Sequence, residues 1–336
     1  MRSRFSVSRW QRRYLAKASC PGQLKSFPNH STKRPNMEKP FILHMFSPTR
    51  NMSPFDVNMA ADAGYQIIVP YTDVTLDQVG PLTQDAIFSR GPKGVKRTGI
   101  FIGGREIGMA ADMLDIARNS MVPPFEVSVF ADPSGAFTTA AAMVACVERQ
   151  LRVVHETDLR DKNVLVLGGT GPVGAAAAVL ASGAGANVQI SSHSSANRAR
   201  MTSEVVNARY GASTKPVEAG TDEQKADLVG QTHIVLATAK AGIRVLSASQ
   251  LQLARNLLVA ADVNAVPPAG IEGLGVMDEG SAIEAASGKA VGVGALAIGN
   301  VKYQVQRGLF ESMLETDKPV YLDFRDAFAA ARAMTS

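Results

Sequence analysis

Residues 163–174 read NVLVLGGTGPVG. The apolar run around Val164 to Leu167 stops at paired glycines, and an alanine-rich segment suited to a helix follows at once. That order is strand, tight turn, helix. Gly169, Gly171 and Gly174 stand at G-x-G-x-x-G spacing, in which the first glycine makes the turn, the second lets backbone approach a pyrophosphate and the third lets helix pack on strand. The anion then rests on N–H groups that a helix start leaves without intrahelical partners. The stretch predicts a dinucleotide site built from Gly169, Thr170, Gly171, Pro172, Val173 and Gly174, with a purely structural glycine turn as the plainer alternative.

Beyond the turn, the pattern alternates with little slack. Strands are expected at 187–191, 213–217, 233–238 and 256–261, and helices at 197–210, 222–230 and 247–254. Strands joined by helices of this length call for a parallel sheet covered on both faces. Residues 263–289 are rich in Pro and Gly and read as loop, with a last short strand at 291–293. In the segment that follows, Ile298, Val301, Val305, Leu309 and Met313 recur every three or four residues, so a long helix turns one apolar stripe to a partner.

Upstream, residues 41–46 (FILHMF) read as a first strand, ending in the polar loop SPTRNMSPFD. A short helix is expected at 58–64, a strand at 66–70 stopped by Pro70, a strand at 97–103 and a helix from 104 to about 120. Residues 125–130 (FEVSVF) alternate at period two, and helix returns from 138 to 151. The fold class is thus α/β. Its parts are a basic extension at 1–36, an N-terminal α/β unit at 37–155, a Rossmann-type parallel-sheet nucleotide domain at 156–295 and C-terminal helices at 296–336.

The chain has 336 residues, 46% of them apolar and 19% charged, enough for two domains with cores of their own. Its net charge of +5 misleads. Residues 1–36 hold nine Lys or Arg and no acid, so residues 37–336 carry 26 bases against 30 acids, a net −4. A nucleic-acid partner, which needs a basic face on the folded part, is disfavoured. No apolar run reaches the ~18 residues that span a bilayer. The extension has the Arg-rich, acid-free composition of an organelle transit peptide, but a start codon placed too early is the favoured reading because Met37 begins an ordinary domain. In either case it should be disordered. Two cysteines, Cys20 and Cys146, make no disulfide framework and fit a reducing compartment, so a cytoplasmic protein is expected, and a homo-oligomer.

Cofactor type is decided some twenty residues past the glycines, where a carboxylate would grip a ribose 2′-hydroxyl and repel a 2′-phosphate. Here the chain reads Ser191-Ser192-His193-Ser194-Ser195, followed by Arg198 and Arg200, with no acid. Ser192, His193 and Arg198 suit a phosphate, so NADP should bind, and NAD is not excluded. Thr238 and Ala239 after one strand, and Asp262 and Asn264 after the next, lie where nicotinamide and its ribose would sit, although the last two could equally form a turn. The histidines show no metal-ligand spacing, and no metal is expected. In the first unit the polar candidates are Asp56, Arg90, Asp132, Thr138 and Thr139, the last three of which could simply cap a helix.

Seven blocks in order give a specific resemblance: MSPFDVNMAADAGY (52–65), TQDAIFSR (83–90), RTGIFIGG (97–104), FADPSGAFTTAAAMVA (130–145), GGTGPVG (168–174), ADVNAVPPAGI (261–271) and GALAIGNVKYQ (294–304). They resemble the bacterial NAD(P)-dependent methylenetetrahydromethanopterin dehydrogenases, over some 300 residues from about Met37 onward. The resemblance implies a pterin-binding N-terminal α/β domain, with tetrahydromethanopterin and NADP or NAD meeting in the cleft between the two domains. The closing helix would pack back across both. It further implies reversible hydride transfer from the methylene carbon of methylene-tetrahydromethanopterin in the oxidation of formaldehyde-derived one-carbon units. Asp56 in SPFD and Lys302 in GNVKYQ are the implied catalytic residues, with Arg90, Asp132 and Thr138 as substrate-binding candidates. The bland alternatives are a helix-capping Asp56 and a snorkelling Lys302. A methylenetetrahydrofolate dehydrogenase is the nearest rival reading, and a non-catalytic NADP-binding sensor is the rival of another class. A shikimate-type dehydrogenase would want a lysine in an N-V-T-x-P-x-K-like loop, which is not found.

Overall fold

The structure, a computed structural model, describes residues 38–193 and 195–336. The readings of residues 1–36, including Cys20, and of Ser194 lie outside the described residues. The first part of the chain runs β1 (Ile42–Phe46), α1 (Pro54–Asp62), β2 (Ile67–Tyr71), α2 (Leu76–Phe88), α3 (Gly91–Val95), β3 (Thr98–Ile102), α4 (Ile107–Asn119), β4 (Ser128–Ala131) and the long α5 (Ala136–His155). The nucleotide half follows as β5 (Asn163–Leu167), α6 (Pro172–Gly183), β6 (Asn187–Ser192), α7 (Ala196–Tyr210), β7 (Thr214–Glu218), α8 (Asp222–Gly230), β8 (Ile234–Ala237), α9 (Ala248–Leu251), β9 (Val259–Asp262), β10 (Glu279–Ala282) and β11 (Val291–Val293). The chain ends with α10 (Ala295–Glu315), β12 (Tyr321–Leu322) and α11 (Phe324–Thr335).

Two sheets result. The seven-stranded sheet has the order β10-β11-β9-β8-β5-β6-β7. From β7 to β11 it is parallel and reverses direction of travel beside β5, as a doubly wound nucleotide fold does at its switch point. Its outer edge departs from the expected loop at 263–289. Here β10 pairs antiparallel with β11, built from Glu-Gly-Ser-Ala, a sequence with no apolar period to announce a strand.

The other sheet is parallel throughout, in the order β12-β4-β3-β1-β2. Two local expectations are corrected here. Pro70 does not end its strand, because β2 lies at the sheet edge where a missing N–H removes no ladder bond. The alternation at 125–130 is not that of a half-exposed strand: all four residues of β4 are buried, since it sits between β3 and β12 with α4 and α10 packed on it. A third correction bears on the site. The helix expected at 58–64 starts at Pro54, which takes the first-turn position where its absent N–H costs nothing, so Asp56 lies on a helix and not in a loop.

The alanine-rich helices α5 and α6 pack together, and small side chains such as Ala140, Ala141 and Ala177, all fully buried, let their backbones approach. The apolar stripe of α10 is buried at Ile298, Val305, Leu309 and Met313, with Val301 partly covered. Phe310, next to that stripe, seats its ring against Phe101 and Phe130 with centroids 5.3 and 5.2 Å away. Such aromatic pairs are worth ~0.5–1.5 kcal/mol beyond buried area. The helix therefore starts at the end of β11 in one sheet and is clamped to the other. It carries the end of GNVKYQ into the space between them.

Candidate active site

The glycine turn joins β5 to α6. Gly168, at φ +78°, takes the left-handed turn that had been expected of Gly169, because the chain must reverse against Thr238 and Ala239. A Cβ there would lie 2.7 Å from Ala239 Cα, one at Gly169 2.9 Å from Ile190, and one at Gly174 2.5 Å from Thr238 Oγ1. Packing within the protein explains those three. Gly171 is different: its nearest protein neighbour would be 3.5 Å away, so the fold itself leaves room for a side chain. What a bare residue preserves is the open start of α6, which Gly171 caps with Pro172 in the first turn. This is the cradle that a dinucleotide pyrophosphate fits.

A pocket of about 530 Å³ opens on this turn and runs to the end of β6, where Ser192, His193 and Arg198 face it together with Thr170, Gly171 and Thr238. Pro172 borders a neighbouring cavity, and Val173 packs partly buried behind the turn. Arg200 turns away to Glu204 and Asn197. The structure adds two cations that spacing did not suggest. Lys225 on α8 and Arg244 after β8 also line the pocket, each held by an acid, Asp222 at 2.9 Å and Glu272 at 2.9 Å.

Thr238 is pinned to the glycine strand by its hydroxyl, 3.0 Å from Leu167 O. Ala239 backs Gly168. Asp262 and Asn264 resolve toward their turn-forming alternative. The Asp262 carboxylate accepts N–H groups of Asn264, Gly270 and Ile271 at 2.9, 2.7 and 3.2 Å. Asn264 accepts from Gly242 and Val266 and donates to Pro268 O. Both are at most 5% exposed and shape the wall of the cleft from behind.

Across the cleft, at the carboxyl ends of β1, β3 and β4, lies a second polar group. Asp56, on the first turn of α1, is buried, and its Oδ1 accepts from Gln306 Nε2 at 2.8 Å. Gln306 Oε1 in turn accepts from Lys302 Nζ at 2.5 Å, one turn back along α10. The same ammonium lies 3.5 Å from the centre of the Phe55 ring, a cation–π contact. The hydrogen bond of Asp56 thus goes to α10 and not to the cap of its own helix, and Lys302 reaches inward and not to solvent.

Asp132 stands behind this pair at the end of β4. Its oxygens accept from the N–H groups of Phe137 and Thr138 and from the Thr138 hydroxyl at 2.6 Å. Asp132 and Thr138 are fully buried, so neither presents an atom to a substrate. They anchor the start of α5, as the helix-cap alternative had it, while the Asp132 charge still acts on Lys302 and Asp56. Arg90 is not brought to this group: its guanidinium donates to Arg97 O, Thr98 Oγ1 and Pro40 O, at the entry ends of β1 and β3, the opposite end of the sheet from Asp56. The Arg97 carbonyl there also accepts from the Ile42 N–H at 2.9 Å, so Arg90 adds a second donor to it.

Electrostatics follow from burial. Loss of water, reinforced by Asp132, pushes the Asp56 carboxyl up to about 7 against the pull of Gln306 and Lys302. Burial raises Asp132 as well, opposed by Lys302 and by its three donors, and burial lowers Lys302, opposed by both carboxylates. Two acids face one base. The cluster is neutral with one proton held and carries one negative charge without it.

Asp56 opens on a cavity of about 320 Å³ lined by Arg50, Asn51, Ser53, Gly104 and Arg105. Arg105 also lines a cavity of about 280 Å³ that reaches Thr170 and Gly171, the rim of the cofactor pocket. Neighbouring spaces thus share walls, Arg105 between the first two and Thr170 and Gly171 between the second and the cofactor pocket. In the wall of the cavity beside Asp56, Ser134 holds a left-handed φ of +53°, with its hydroxyl donating to Gly104 O at 2.7 Å. A non-glycine residue so placed stores strain, a feature that clusters at ligand sites. Gln306 and Phe55 were missed from sequence. The only signals were the i+4 spacing of Gln306 from Lys302 and a polar residue next to the apolar stripe.

Among the described residues, no group of three or more His, Cys, Asp or Glu could hold a metal ion, and no helix is long and apolar enough to cross a membrane. A family model described as methylene-tetrahydromethanopterin dehydrogenase, N-terminal, matches residues 54–134. The chain is 47% identical over 290 residues to the NAD(P)-dependent methylenetetrahydromethanopterin dehydrogenase of Methylorubrum extorquens strain AM1, covering 86% of this chain and 97% of that protein. It is 31% identical over 293 residues to the Bifunctional protein MdtA of the same strain, covering 87% and 98%. Among solved structures it is similar to shikimate 5-dehydrogenase from Listeria monocytogenes, with a TM-score of 0.47 at 11% identity, covering 81% of this chain and 92% of the other. On identity and coverage together, the chain belongs to the NAD(P)-dependent methylenetetrahydromethanopterin dehydrogenase family.

Proposed function

We propose that this enzyme transfers a hydride reversibly from the methylene carbon of methylene-tetrahydromethanopterin to NADP or NAD, with Asp56 and Lys302 beside the reacting carbon. One observation carries the reading. Asp56 and Lys302, from opposite ends of the chain, meet through Gln306 in a buried cluster, and the cavity beside Asp56 shares its Arg105 wall with the cavity at the glycine turn. The bound nicotinamide supplies the hydride acceptor.

The residues of the chain have a limited task. Hydride loss from an N–CH2–N carbon leaves a cation shared by both nitrogens, and no proton has to move in the same step. Orientation and charge are what the protein can contribute. Asp56, raised to about 7, is ionised before the step in the fraction of enzyme that reacts, and the cluster then supplies the single negative charge that offsets the cation as it forms. Lys302, its ammonium over Phe55 and donating to Gln306, keeps the two carboxyls from both holding protons. Ser192, His193 and Arg198 hold the 2′-phosphate of NADP, and no acid in that stretch turns NADP away. Cytoplasmic residence and homo-oligomeric assembly belong to the same reading. A single monomeric species in sedimentation would remove the latter.

The test is an absorbance assay at the reduced-nicotinamide band with methylene-tetrahydromethanopterin and either cofactor, run in parallel with methylene-tetrahydrofolate. Turnover with the methanopterin carrier is expected. Tight cofactor binding with no hydride transfer, or a strong preference for the folate carrier, would overturn the reading.

A further inference from the structure

Gln306 is fully buried on α10, yet both ends of its amide are spent on charged groups. Lysine ammonium can only donate and carboxylate can only accept, so the amide has one workable orientation, oxygen to Lys302 and nitrogen to Asp56. The two contacts tie α10 to α1 across 250 residues of sequence. No Lys302 nitrogen comes within 4 Å of a carboxylate oxygen of Asp56 or Asp132 among the described ion pairs. The amide is therefore what joins the base to the acid, and the phenyl ring of Phe55 closes the other side of the ammonium.

We infer that Gln306 is a positioning residue for the hydride transfer: it holds Lys302 and Asp56 at fixed separation and aims an amide N–H at the Asp56 carboxylate where the cationic product forms. The inference rests on Asp56 and Lys302 acting at the reacting carbon. Its chemistry is specific to an amide. Glutamate would still accept from Lys302 but would set a second anion against Asp56, and methionine of similar length would serve neither. The charged groups facing Gln306 are Asp56 from α1, Lys302 from α10 and Asp132 from the end of β4. Since the donated hydrogen bond favours the carboxylate, its loss moves the titration of Asp56 toward higher pH.

The experiment compares the parent, Gln306→Met, Gln306→Glu and Asp56→Asn by kcat at saturating substrates from pH 5 to 9. KM, melting temperature and the affinity for NADPH, read by nicotinamide fluorescence, are measured alongside. In the parent, kcat should rise with pH through a limb near 7. In Gln306→Met a charge-assisted bond is lost, and the limb should move up by about one unit. At pH 7 that lowers kcat about fivefold, with recovery toward the parent value at pH 9 and NADPH affinity unchanged. Gln306→Glu should shift the limb in the same direction, and it serves alone if the methionine variant does not fold. A parental limb in both variants, or a loss of kcat equal at all pH values, overturns the role of Gln306 while Asp56→Asn remains impaired. Undiminished kcat in Asp56→Asn instead overturns the reading on which the inference rests.

Discussion

Replacing Asp56 by asparagine removes a charge and leaves the geometry. The side chains are isosteric, and the asparagine Oδ1 can still accept from Gln306 Nε2 at the 2.8 Å seen for the carboxylate. In the folded protein Asp56 keeps its proton up to about pH 7, whereas in the unfolded chain it is released near 3.8. Between those values the native state binds the extra proton, so stability falls as pH rises and the full deficit is present above pH 7. At ~1.4 kcal/mol per unit of pKa the deficit is about 4 kcal/mol, the cost of ionising a group only 2% exposed. Asp56→Asn should therefore match the parent in stability near pH 4 and exceed it at pH 8 by up to about 4 kcal/mol, or roughly 8 °C in melting temperature for a chain of this size. Activity should move the other way. Loss of one preorganised electrostatic group costs ~10²–10³ in kcat, with little change in KM because the pocket shape is kept. Differential scanning calorimetry across pH and steady-state kinetics on the same preparations decide the matter. Melting curves that run parallel for parent and variant from pH 4 to 8 would refute the burial argument, and an unchanged kcat would refute the electrostatic one.

The glycine turn offers a paired test of packing against ligand contact. Gly174→Ala, whose Cβ would lie 2.5 Å from Thr238 Oγ1, should destabilise the fold by ~1–3 kcal/mol, whereas Gly171→Ala, with 3.5 Å to spare, should melt like the parent and lose NADP and NAD binding in calorimetric titration. Equal losses of stability in both variants would remove the distinction. At the end of β6, Arg198→Ala should weaken NADP about tenfold by loss of a charge-assisted contact and leave NAD within about twofold. A parallel loss for both cofactors would show that Arg198 reads something other than the 2′-phosphate.

How far the site could be read in the sequence depends on how local its causes are. The strand, turn and helix around Gly169, Gly171 and Gly174 are set by neighbours in sequence, and so the nucleotide sheet was legible from one dodecapeptide. Even there, which glycine takes the left-handed turn was decided from outside, by the approach of Ala239 from the next strand. Asp262 and Asn264 stand at a strand end, the correct place for a ligand contact, but three N–H groups from the following loop claim the aspartate. No spacing rule counts such donors in advance. Arg90 reads as a polar candidate in its block, yet its guanidinium is engaged by groups distant in sequence, among them the carbonyls of residues 40 and 97. β10 and β12 had no legible pattern: one is polar at the sheet edge and the other is two residues long.

The cluster of Asp56, Gln306 and Lys302 shows the limit most clearly. Nothing near Asp56 in sequence explains a carboxyl poised near neutrality, since burial and the Asp132 charge raise it while Lys302 and an amide 250 residues away oppose them. What brings them together is apolar packing: Phe310 against Phe101 and Phe130 clamps α10 to the first sheet, and the helical rise from Phe310 back to Gln306 and Lys302 then fixes where the polar groups must fall. The same helix begins directly after β11 of the nucleotide sheet. Its two attachments set the separation between the cluster and the glycine turn, and hydride transfer tolerates little error in that separation. A helix with an apolar stripe is therefore a structural element and a ruler at once, and the polar residues beside the stripe, Lys302 and Gln306, are the marks on it that the proposed chemistry would use.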